Sequence, residues 1–431
     1  MAQTRREFLK KAGMGLAAAA VTPDIIMNAR IPLQEEKPAD PDATPEFLPE
    51  WEKGYLYIHS IGTGQGDCTV MVMPDGTTWM VDAGDIGSTK KGSWWHPVPD
   101  NKKSVGEHIA DYYNHFSPTP GELDYFSLTH FHADHIGNMR NALPGPNGYK
   151  LSGISMVAEH VNIHKMVDRD YPDYSFPSHE MILKECGFFP EYRKFIDYQR
   201  SKGVDIEKFK VGTNKQFVLL HDPKPYAGKF EVRNITGNAE VWTGKGSGTR
   251  KMYSGDINLF DENMNSCGFL LRYGDFVYYN AGDLSSGNIK NFKSQERDFE
   301  KYVAKFCGHV TLVKPDHHGW KESTNAEFLL AARPEVFVTM ASHEVHPYVN
   351  TIRRMSDPLV YPEPREFYST TDAPRQKMGE DLWSLYKPTG HIVVRVHPDG
   401  RHYEVFVLDI FSGDYRIKYR SELKEVRVQK A

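Results

Sequence analysis

The sequence has few cysteines, no long apolar run and no excess of positive charge. Its 431 residues contain four cysteines, which lie far apart and form no Cys-x-x-Cys pair: Cys68, Cys186, Cys267 and Cys307. This spacing argues against a disulfide scaffold and a cysteine zinc finger, so buried thiols are expected. The formal net charge of −5 argues against a dedicated nucleic-acid surface, because such surfaces cluster Lys and Arg. With 39% hydrophobic and 25% charged residues, the composition is globular and suits one large or two ordinary domains.

The amino-terminal segment carries a targeting pattern. Arg5 and Arg6 precede an Ala-rich apolar run at residues 14–21, which is too brief to span a bilayer. The pattern resembles a twin-arginine export signal, which a receptor recognises as an address. This resemblance implies export to the periplasm or the exterior, and a basic amphipathic helix on a cytosolic protein is the alternative. An acidic, proline-rich stretch follows and predicts a flexible spacer. The predicted organisation is a signal segment, a spacer and one folded domain, at residues 1–32, 33–50 and 51–431.

Residues 129–138 form the densest group of metal-ligating side chains. Six consecutive positions hold three imidazoles and a carboxylate: His130, His132, Asp134 and His135. Residues 124–128 have a strand pattern and residues 138–143 a helix pattern, so a strand-to-helix loop is predicted. On an extended chain, His130 and His132 would point the same way and reach one ion. Imidazoles with a carboxylate favour a hydrolytic metal site over a closed structural one. A solvated polar loop is the alternative, but clustered unpaired imidazoles have no packing use.

Further carboxylates and imidazoles follow predicted strands. Asp82 ends one strand, for which a simple turn aspartate is the alternative, and Asp283 ends the second strand of a hairpin. Another predicted strand runs into the pair His317 and His318. Adjacent side chains at a strand end point in opposite directions, so one imidazole is expected to bind an ion while the other faces substrate. The residues leave open which of them binds, and His346 is a later candidate.

Three features are weaker. The loop that ends in Asp67 is rich in glycine, but it lacks the lysine of a phosphate-binding loop. His160 and His164 have helical spacing after a predicted strand at residues 154–158, although surface positions explain them adequately. The tryptophans at residues 94–95 indicate either a binding wall or surface packing.

The histidine motif resembles the signature of the metallo-β-lactamase superfamily, His-x-His-x-Asp-His, position for position. The resemblance implies an α/β protein built as an αββα sandwich, with one or two metal ions at its edge. It also implies that Asp82 lies beneath the ions and orients their ligands, and that Asp283 bridges them.

The order of motifs is more specific than any one of them. Gly-Gln-Gly-Asp, Asp-Ala-Gly, the histidine motif, Asn-x-Asn-Ser, Gly-Asp, His-His-Gly and His-Pro follow one another between residues 55 and 408. This order resembles the soluble carboxyl-terminal hydrolase domain of DNA-internalisation competence proteins, here expected in a free-standing, exported form without the membrane channel. Asn263 stands where many members of the superfamily have a further histidine.

The resemblance implies a metal-dependent hydrolase, with phosphate esters or phosphodiesters as the leading substrates. Zinc is the expected ion, and manganese or iron would suit the same donors. A water between the ions, its pKa lowered to about 7, would attack the ester. Asp134 would serve this chemistry as a ligand, with His317 or His346 donating to the oxyanion or the leaving group. The two implied ion sites are Asp134, His135, Asp283 and His318, and His130, His132 and Asp283.

Two alternatives remain open at this point. The same site would hydrolyse lactones, β-lactams or thioesters, although the missing third histidine argues modestly against a lactamase. A noncatalytic exported protein that binds glycans or a partner belongs to a different class. The acidic charge favours small or envelope-derived esters, whereas the resemblance points towards nucleic acid.

Overall fold

The structure is a computed structural model that describes residues 46–87, 97–140, 142–252, 261–285, 298–340 and 343–428. These residues lie within one compact unit, Pro45–Ala431. The predicted signal segment and the tryptophans at residues 94–95 lie outside the described residues. Among the helices that are described, none combines the length and the apolar character needed to cross a bilayer.

The secondary structure is dominated by strands. The β-strands are β1 (Leu56–Ser60), β2 (Thr69–Val72), β3 (Thr78–Val81), β4 (Glu122–Ser127), β5 (Leu143–Pro144), β6 (Lys150–Leu151), β7 (Asn162–Asp168), β8 (Asp205–Lys208), β9 (Phe230–Gly237), β10 (Glu240–Trp242), β11 (Thr249–Lys251), β12 (Gly268–Tyr273), β13 (Phe276–Asn280), β14 (Leu312–Val313), β15 (Val336–Thr339), β16 (Glu366–Ser369), β17 (His391–Val396), β18 (His402–Leu408), β19 (Ile417–Arg420) and β20 (Lys424–Glu425). The α-helices are α1 (Val105–Phe116), α2 (Ala133–Ile136), α3 (Ile154–Val157), α4 (His179–Glu185), α5 (Phe189–Ser201), α6 (Phe299–Val303), α7 (Ala326–Ala332), α8 (Val349–Ser356), α9 (Arg375–Met378) and α10 (Glu380–Trp383).

Two large mixed sheets organise the fold. The first has the order β19-β18-β17-β1-β2-β3-β4-β7-β8, with β20 paired to β18, and the second has the order β11-β10-β9-β12-β13-β14-β15-β16. Each sheet is antiparallel at one end and parallel at the other. The parallel halves are β3-β4-β7-β8 in the first sheet and β13-β14-β15-β16 in the second.

Three apolar clusters separate four layers. Along β3, Trp79 and Val81 face a cluster shared with the second sheet, whereas Met80 faces a cluster shared with α1, α3 and α5. Along β13, Tyr278 faces the first sheet and Tyr279 faces a third cluster with α6, α7 and α8. This alternation follows from the two-residue period of a strand and buries both faces of each sheet. The expected αββα sandwich is confirmed.

Several local expectations hold and others fail. The helix α1 begins with a capping box, in which Ser104 and Glu107 satisfy each other's backbone groups. The helix expected at residues 138–143 is wrong, because the short helix α2 ends at Ile136 and is capped by Gly137, which has a φ of 104°. The strand expected at residues 154–158 is also wrong, since α3 lies there.

The spacing of His160 and His164 does not reflect a helix. His164 lies on β7 with its side chain 59% exposed, and its Nε2 lies 2.9 Å from the carboxylate of Glu122. His164 therefore lies at the protein surface.

Candidate metal centre

The ends of parallel strands bring the candidate side chains together. Asp82 follows β3, and the histidine motif follows its parallel neighbour β4. In the other sheet, Asp283 follows β13, and His317 and His318 follow the parallel strand β14. Because the carboxyl ends of parallel strands meet at one edge, residues that are far apart in sequence converge there.

Two imidazoles and two carboxylates form the centre of this group. His318 Nε2 lies 3.1 Å from Asp283 Oδ2 and 3.2 Å from Asp134 Oδ2. His135 Nε2 lies 3.2 Å from Asp283 Oδ1 and 4.0 Å from Asp134 Oδ1. His135, His318 and Asp283 are buried, and the side chain of Asp134 is 20% exposed. The structure thus brings together all four residues of the first predicted ion site.

The other nitrogen of each imidazole is held from behind. His135 Nδ1 lies 2.8 Å from Asp82 Oδ2, and His318 Nδ1 lies 2.7 Å from the carbonyl oxygen of Met340. Carboxylate and carbonyl oxygens only accept hydrogen bonds, so each Nδ1 carries a proton and each Nε2 faces the carboxylates. Asp82 also accepts a hydrogen bond of 2.7 Å from the backbone N–H of Thr129. Its position beneath the centre is the one that the resemblance implied.

The buried imidazoles and carboxylates of the centre shift one another's pKa values strongly. Burial alone would lower the pKa of His135, but Asp283 and Asp82 outweigh it and raise that pKa to about 10. Burial alone would raise the pKa of Asp283, but His135, His318 and Lys314 outweigh it and hold that pKa well below its usual range. A cation that binds here therefore replaces protons on imidazoles rather than on carboxylates.

Asp67 and Lys314 are parts of the centre that the sequence analysis missed. Lys314 is 2% exposed, and its Nζ lies 2.7 Å from Asp67 Oδ2, 3.1 Å from Asp283 Oδ1 and 2.6 Å from the carbonyl oxygen of Gly282. Asp67 Oδ1 lies 3.1 Å from Nδ1 of His318. Asp67, His135, Asp283 and His318 have donor atoms within 4.8 Å of one another. Because Asp67 faces the Nδ1 side of His318, we assign it to holding the ring and Lys314 rather than to binding an ion.

The glycine-rich loop supports the histidine motif directly. The backbone N–H of Asp67 donates to the carbonyl oxygen of Asp134 at 2.8 Å. A Cβ atom at Gly66 would lie 2.2 Å from that carbonyl oxygen, and one at Gly84 would lie 1.8 Å from it. Real Cβ atoms do not approach so closely, so the backbones meet only because glycine stands at both positions. The glycines thus serve a close approach between two loops, which explains them without a phosphate-binding loop.

His130 and His132 form a second side of the centre. Nε2 of His130 lies 3.0 Å from Nδ1 of His132, so both rings do face one region. The backbone N–H of Phe131 donates to Glu262 Oε1 at 3.0 Å, and Arg169 pairs with both oxygens of Glu262 at 2.7 and 2.8 Å. Arg169 and Glu262 are buried, and such charges are retained in an interior only when paired. This ion pair fixes the backbone between the two histidines.

The chain is thus an αββα sandwich with the histidine motif at the edge of its sheets. This is the arrangement that the resemblance to the metallo-β-lactamase superfamily implied.

Comparisons with known proteins give the following findings. No protein-family model matches the chain, and a search of curated proteins found no match. Among solved structures, the chain is similar to CmlA, a diiron β-hydroxylase from Streptomyces venezuelae, with a TM-score of 0.34 and 15% identity over 74% of this chain and 49% of that one. It is also similar to the short form of human tRNase Z, with a TM-score of 0.26 and 11% identity over 66% of this chain and 91% of that one. The match spans about half the length of CmlA.

Asn263 marks the departure from the pattern that the resemblance implied. It lies in a short 3-10 helix, Glu262–Asn265, and is 5% exposed. Its Nδ2 lies 3.3 Å from Nε2 of His317, and its Oδ1 has no hydrogen-bond partner among the described residues. An amide therefore lies beside His317, at the position where many members of the superfamily have an imidazole.

The expectation that His317 and His318 point in opposite directions is wrong. Their strand, β14, ends at Val313, and both histidines adopt left-handed backbone conformations with φ of 48° and 51°. Both rings consequently face Asp283, whose Oδ2 lies 3.1 Å from Nε2 of His318 and 3.9 Å from Nε2 of His317. His318 lies among the carboxylates of the centre, and His317 lies at its margin.

His346 covers the centre from one side. Its ring lies parallel to that of His318, with centroids 4.9 Å apart and an angle of 12°. Burial, reinforced by the nearby His318 and His317, holds the pKa of His346 well below its usual range. The ring is therefore neutral and retains one N–H that can donate.

Proposed function

We propose that this protein is a metal-dependent hydrolase of phosphate esters, most of all phosphodiesters, with zinc as the ion. The observation that carries the proposal is the convergence of two imidazole Nε2 atoms with two carboxylates, Asp134 and Asp283. The distances between these atoms are 3.1 to 4.0 Å, and both Nδ1 atoms are fixed by acceptors. Imidazole and carboxylate donors of this kind suit zinc, and manganese or iron would suit them as well.

The residues of the centre have two roles. Some would bind the ions or position their ligands, and others would donate to the substrate. When bound, the ions would lower the pKa of a water and would stabilise negative charge on the attacked phosphoryl group. His135, His318, Asp134 and Asp283 would hold the ions, while Asp82, Asp67 and Lys314 would keep those ligands in place.

Two further histidines complete the chemistry. His346 is neutral and stacked on a ligand ring, so its N–H is available to a developing oxyanion. His317 lies at the margin of the centre, where it could donate to the oxyanion or to the leaving group of a bound substrate. The phosphate preference is supported by the order of motifs and by the amide at Asn263, since the expected lactamase donor is missing there.

The test combines metal analysis with a substrate panel. Purified protein is expected to hold stoichiometric zinc and to hydrolyse bis-p-nitrophenyl phosphate faster than p-nitrophenyl phosphate, nitrocefin or a lactone. Asp283→Asn should lose more than about 100-fold in kcat/KM, since residues that only orient ligands already cost 10–100-fold.

Asp275→Asn is the matched control for this substitution. Asp275 is exposed in the turn at the other end of β13, so the Asp275→Asn variant should be as active as the wild type. A protein without bound metal, or an Asp283→Asn variant with unchanged turnover, would refute the proposal. Faster turnover of nitrocefin or a lactone would move the substrate to that alternative class.

We further propose that residues 1–32 direct export, that residues 33–50 are a spacer and that residues 51–431 form the hydrolase domain. The basis is the arginine pair before a short apolar run. Cell fractionation should find the wild type outside the cytoplasm and an Arg5→Lys, Arg6→Lys double variant inside it. Equal distributions of the two would contradict this route.

A further inference from the structure

Trp320 differs from the other described tryptophans in what it packs against. Trp79 lies in the apolar cluster between the two sheets, Trp242 and Trp383 pack against the cluster beneath the second sheet, and Trp51 packs against a smaller cluster on the first sheet. Trp320 belongs to none of these clusters. Since a tryptophan normally contributes to a fold by burying its large ring among apolar groups, this one needs a different explanation.

The Trp320 ring lies beside the metal centre. Its centroid is 5.3 Å from that of His346 and 6.4 Å from that of His317. His346 in turn stacks on His318. The backbone of Trp320 is fixed in this place, because its N–H donates to the carbonyl oxygen of His317 at 2.7 Å and its own carbonyl oxygen accepts from the Thr351 hydroxyl at 3.1 Å. One imidazole therefore separates the indole from a ligand ring.

Tyr348 extends this aromatic surface. Its ring centroid lies 5.4 Å from that of Trp320, at an angle of 65°. Its N–H donates to the carbonyl oxygen of Gly319 at 2.9 Å, which ties it to the turn that carries the two histidines. Both rings are half-buried, and neither the indole N–H nor the tyrosine hydroxyl forms a hydrogen bond with a described residue. Trp320 and Tyr348 thus form an aromatic wall at the margin of the centre.

A positive charge accompanies the wall. The ammonium group of Lys321 lies 5.3 Å from the centroid of the Trp320 ring, and this exposed lysine forms no ion pair with a described carboxylate. An exposed ammonium group can move aside from an aromatic face when another group stacks there. Its charge favours a substrate that is an anion.

We propose that Trp320 determines substrate specificity by stacking on a planar aromatic group that the phosphate ester carries next to its reacting phosphoryl group. The inference rests on the proposed phosphoesterase function and narrows its substrates to esters of nucleosides or aryl alcohols, as opposed to aliphatic esters such as those of glycerol. Stacking suits both sources of the planar group, because each has a π-face whatever its hydrogen-bonding groups are.

The test compares ligands that differ only in the planar group. Adenosine 5′-monophosphate and ribose 5-phosphate are the nucleobase pair, and phenyl phosphate and methyl phosphate are the aryl pair. Calorimetric titration of the zinc-loaded protein gives the Kd of each ligand without requiring turnover. In at least one pair, the wild type should bind the planar member at least about fivefold more tightly, which is the lower end of what stacking of one base contributes. The pair that shows the preference identifies the source of the planar group.

Three variants make the result specific. Trp320→Leu should bind both members of the pair alike, with the zinc content and the Kd of the aliphatic member unchanged. Trp320→Phe should keep part of the preference, because a smaller ring still stacks. Trp242→Leu is the matched control, since it makes the same change at a half-buried tryptophan on β10 that packs against an apolar cluster, and it should discriminate as the wild type does.

The outcomes separate this inference from the proposed function. Equal affinities within both pairs, or a preference that survives in Trp320→Leu, would overturn the inference, and a wild type that still hydrolyses phosphodiesters would leave the proposed function intact. A Trp320→Leu protein without zinc would show that the ring supports the centre rather than the substrate, which also overturns the inference. A wild type that binds neither zinc nor any of the four ligands would refute the proposed function together with it.

Discussion

Lys314 shows what a single buried charge does in this centre. Its ammonium group donates to Asp283 and to the carbonyl oxygen of Gly282, and it forms an ion pair with Asp67. Burial alone would lower the pKa of Lys314, but the two carboxylates outweigh it and raise that pKa above its usual value. The lysine therefore remains charged and offsets part of the repulsion between acids that lie close together.

Lys314→Met should destabilise the metal-free protein by about 3–5 kcal/mol, because it leaves two buried carboxylates without their cation. Urea unfolding in the presence of a chelator measures this change. The double variant with Asp67→Asn should lose less than the sum of the two single variants, since both act on one ion pair. Lys229→Met is the control, because Lys229 is exposed. If Lys314→Met has the same free energy of unfolding as the wild type, the ion pair contributes nothing to stability.

At the level of elements, the loops rather than the strands determine the geometry of the centre. The Asp-Ala-Gly turn after β3 and the histidine motif after β4 are joined by backbone hydrogen bonds, from Ala83 N–H to His135 O at 2.8 Å and from Asp85 N–H to Ala133 O at 3.0 Å. Gly84 lies between these two bonds. Its lack of a side chain allows the loops to pair, and this places His135 over Asp82.

Gly84→Ala should therefore disturb the metal centre more than the fold. The added Cβ would lie 1.8 Å from the carbonyl oxygen of Asp134, so this backbone must move. Overpacking of this kind costs about 1–3 kcal/mol, and we expect zinc affinity to fall together with stability. Metal titration and thermal unfolding measure both. In Gly248→Ala, the added Cβ lies at an exposed position and its nearest atoms belong to Thr243 and Lys245 rather than to the centre, so that variant should bind zinc normally. Unchanged zinc binding in Gly84→Ala would contradict the role given to this turn.

At the scale of the whole molecule, two buried imidazoles outside the centre connect stability to pH. Burial lowers the pKa of His59 to about 3, and burial together with His59 lowers that of His391 to about 3, from 6.5. Nδ1 of His59 lies 3.0 Å from the hydroxyl of Tyr112, and Nδ1 of His391 accepts from the N–H of Gly62 at 3.1 Å. Both rings are therefore packed in their neutral form between α1 and the first sheet.

The sign of the pH effect follows from proton binding. Between about pH 6.5 and pH 3 the unfolded chain binds protons on these rings and the folded chain does not, so stability is complete above that window and falls as the pH is lowered through it. Each ring contributes a slope of up to about 1.4 kcal/mol per pH unit.

Thermal unfolding from pH 7.5 to pH 4.5, with a chelator present, tests this expectation. His59→Gln should give a flatter dependence than the wild type, whereas His164→Gln, at a side chain that is 59% exposed, should not. Parallel curves for all three proteins would rule out the buried imidazole as the cause.

Some residues of the centre could be predicted from the sequence and others could not. Asp82, Asp283 and the histidine motif were recognisable because each follows a strand with a clear pattern. Asp67 was present in the glycine-rich loop, but nothing local distinguishes a carboxylate that holds a ligand from one that ends a turn.

The sequence by itself determined the donor types and the strand ends that carry them, because metal chemistry and strand periodicity are local properties. The layered fold was expected only from the resemblance of the motifs to a known superfamily. Only the tertiary structure decided how those donors are arranged. Two left-handed residues turn both His317 and His318 to one side, and a buried lysine lies between two acids from different loops. These arrangements depend on contacts between residues that are far apart in the chain, and no local pattern contains that information.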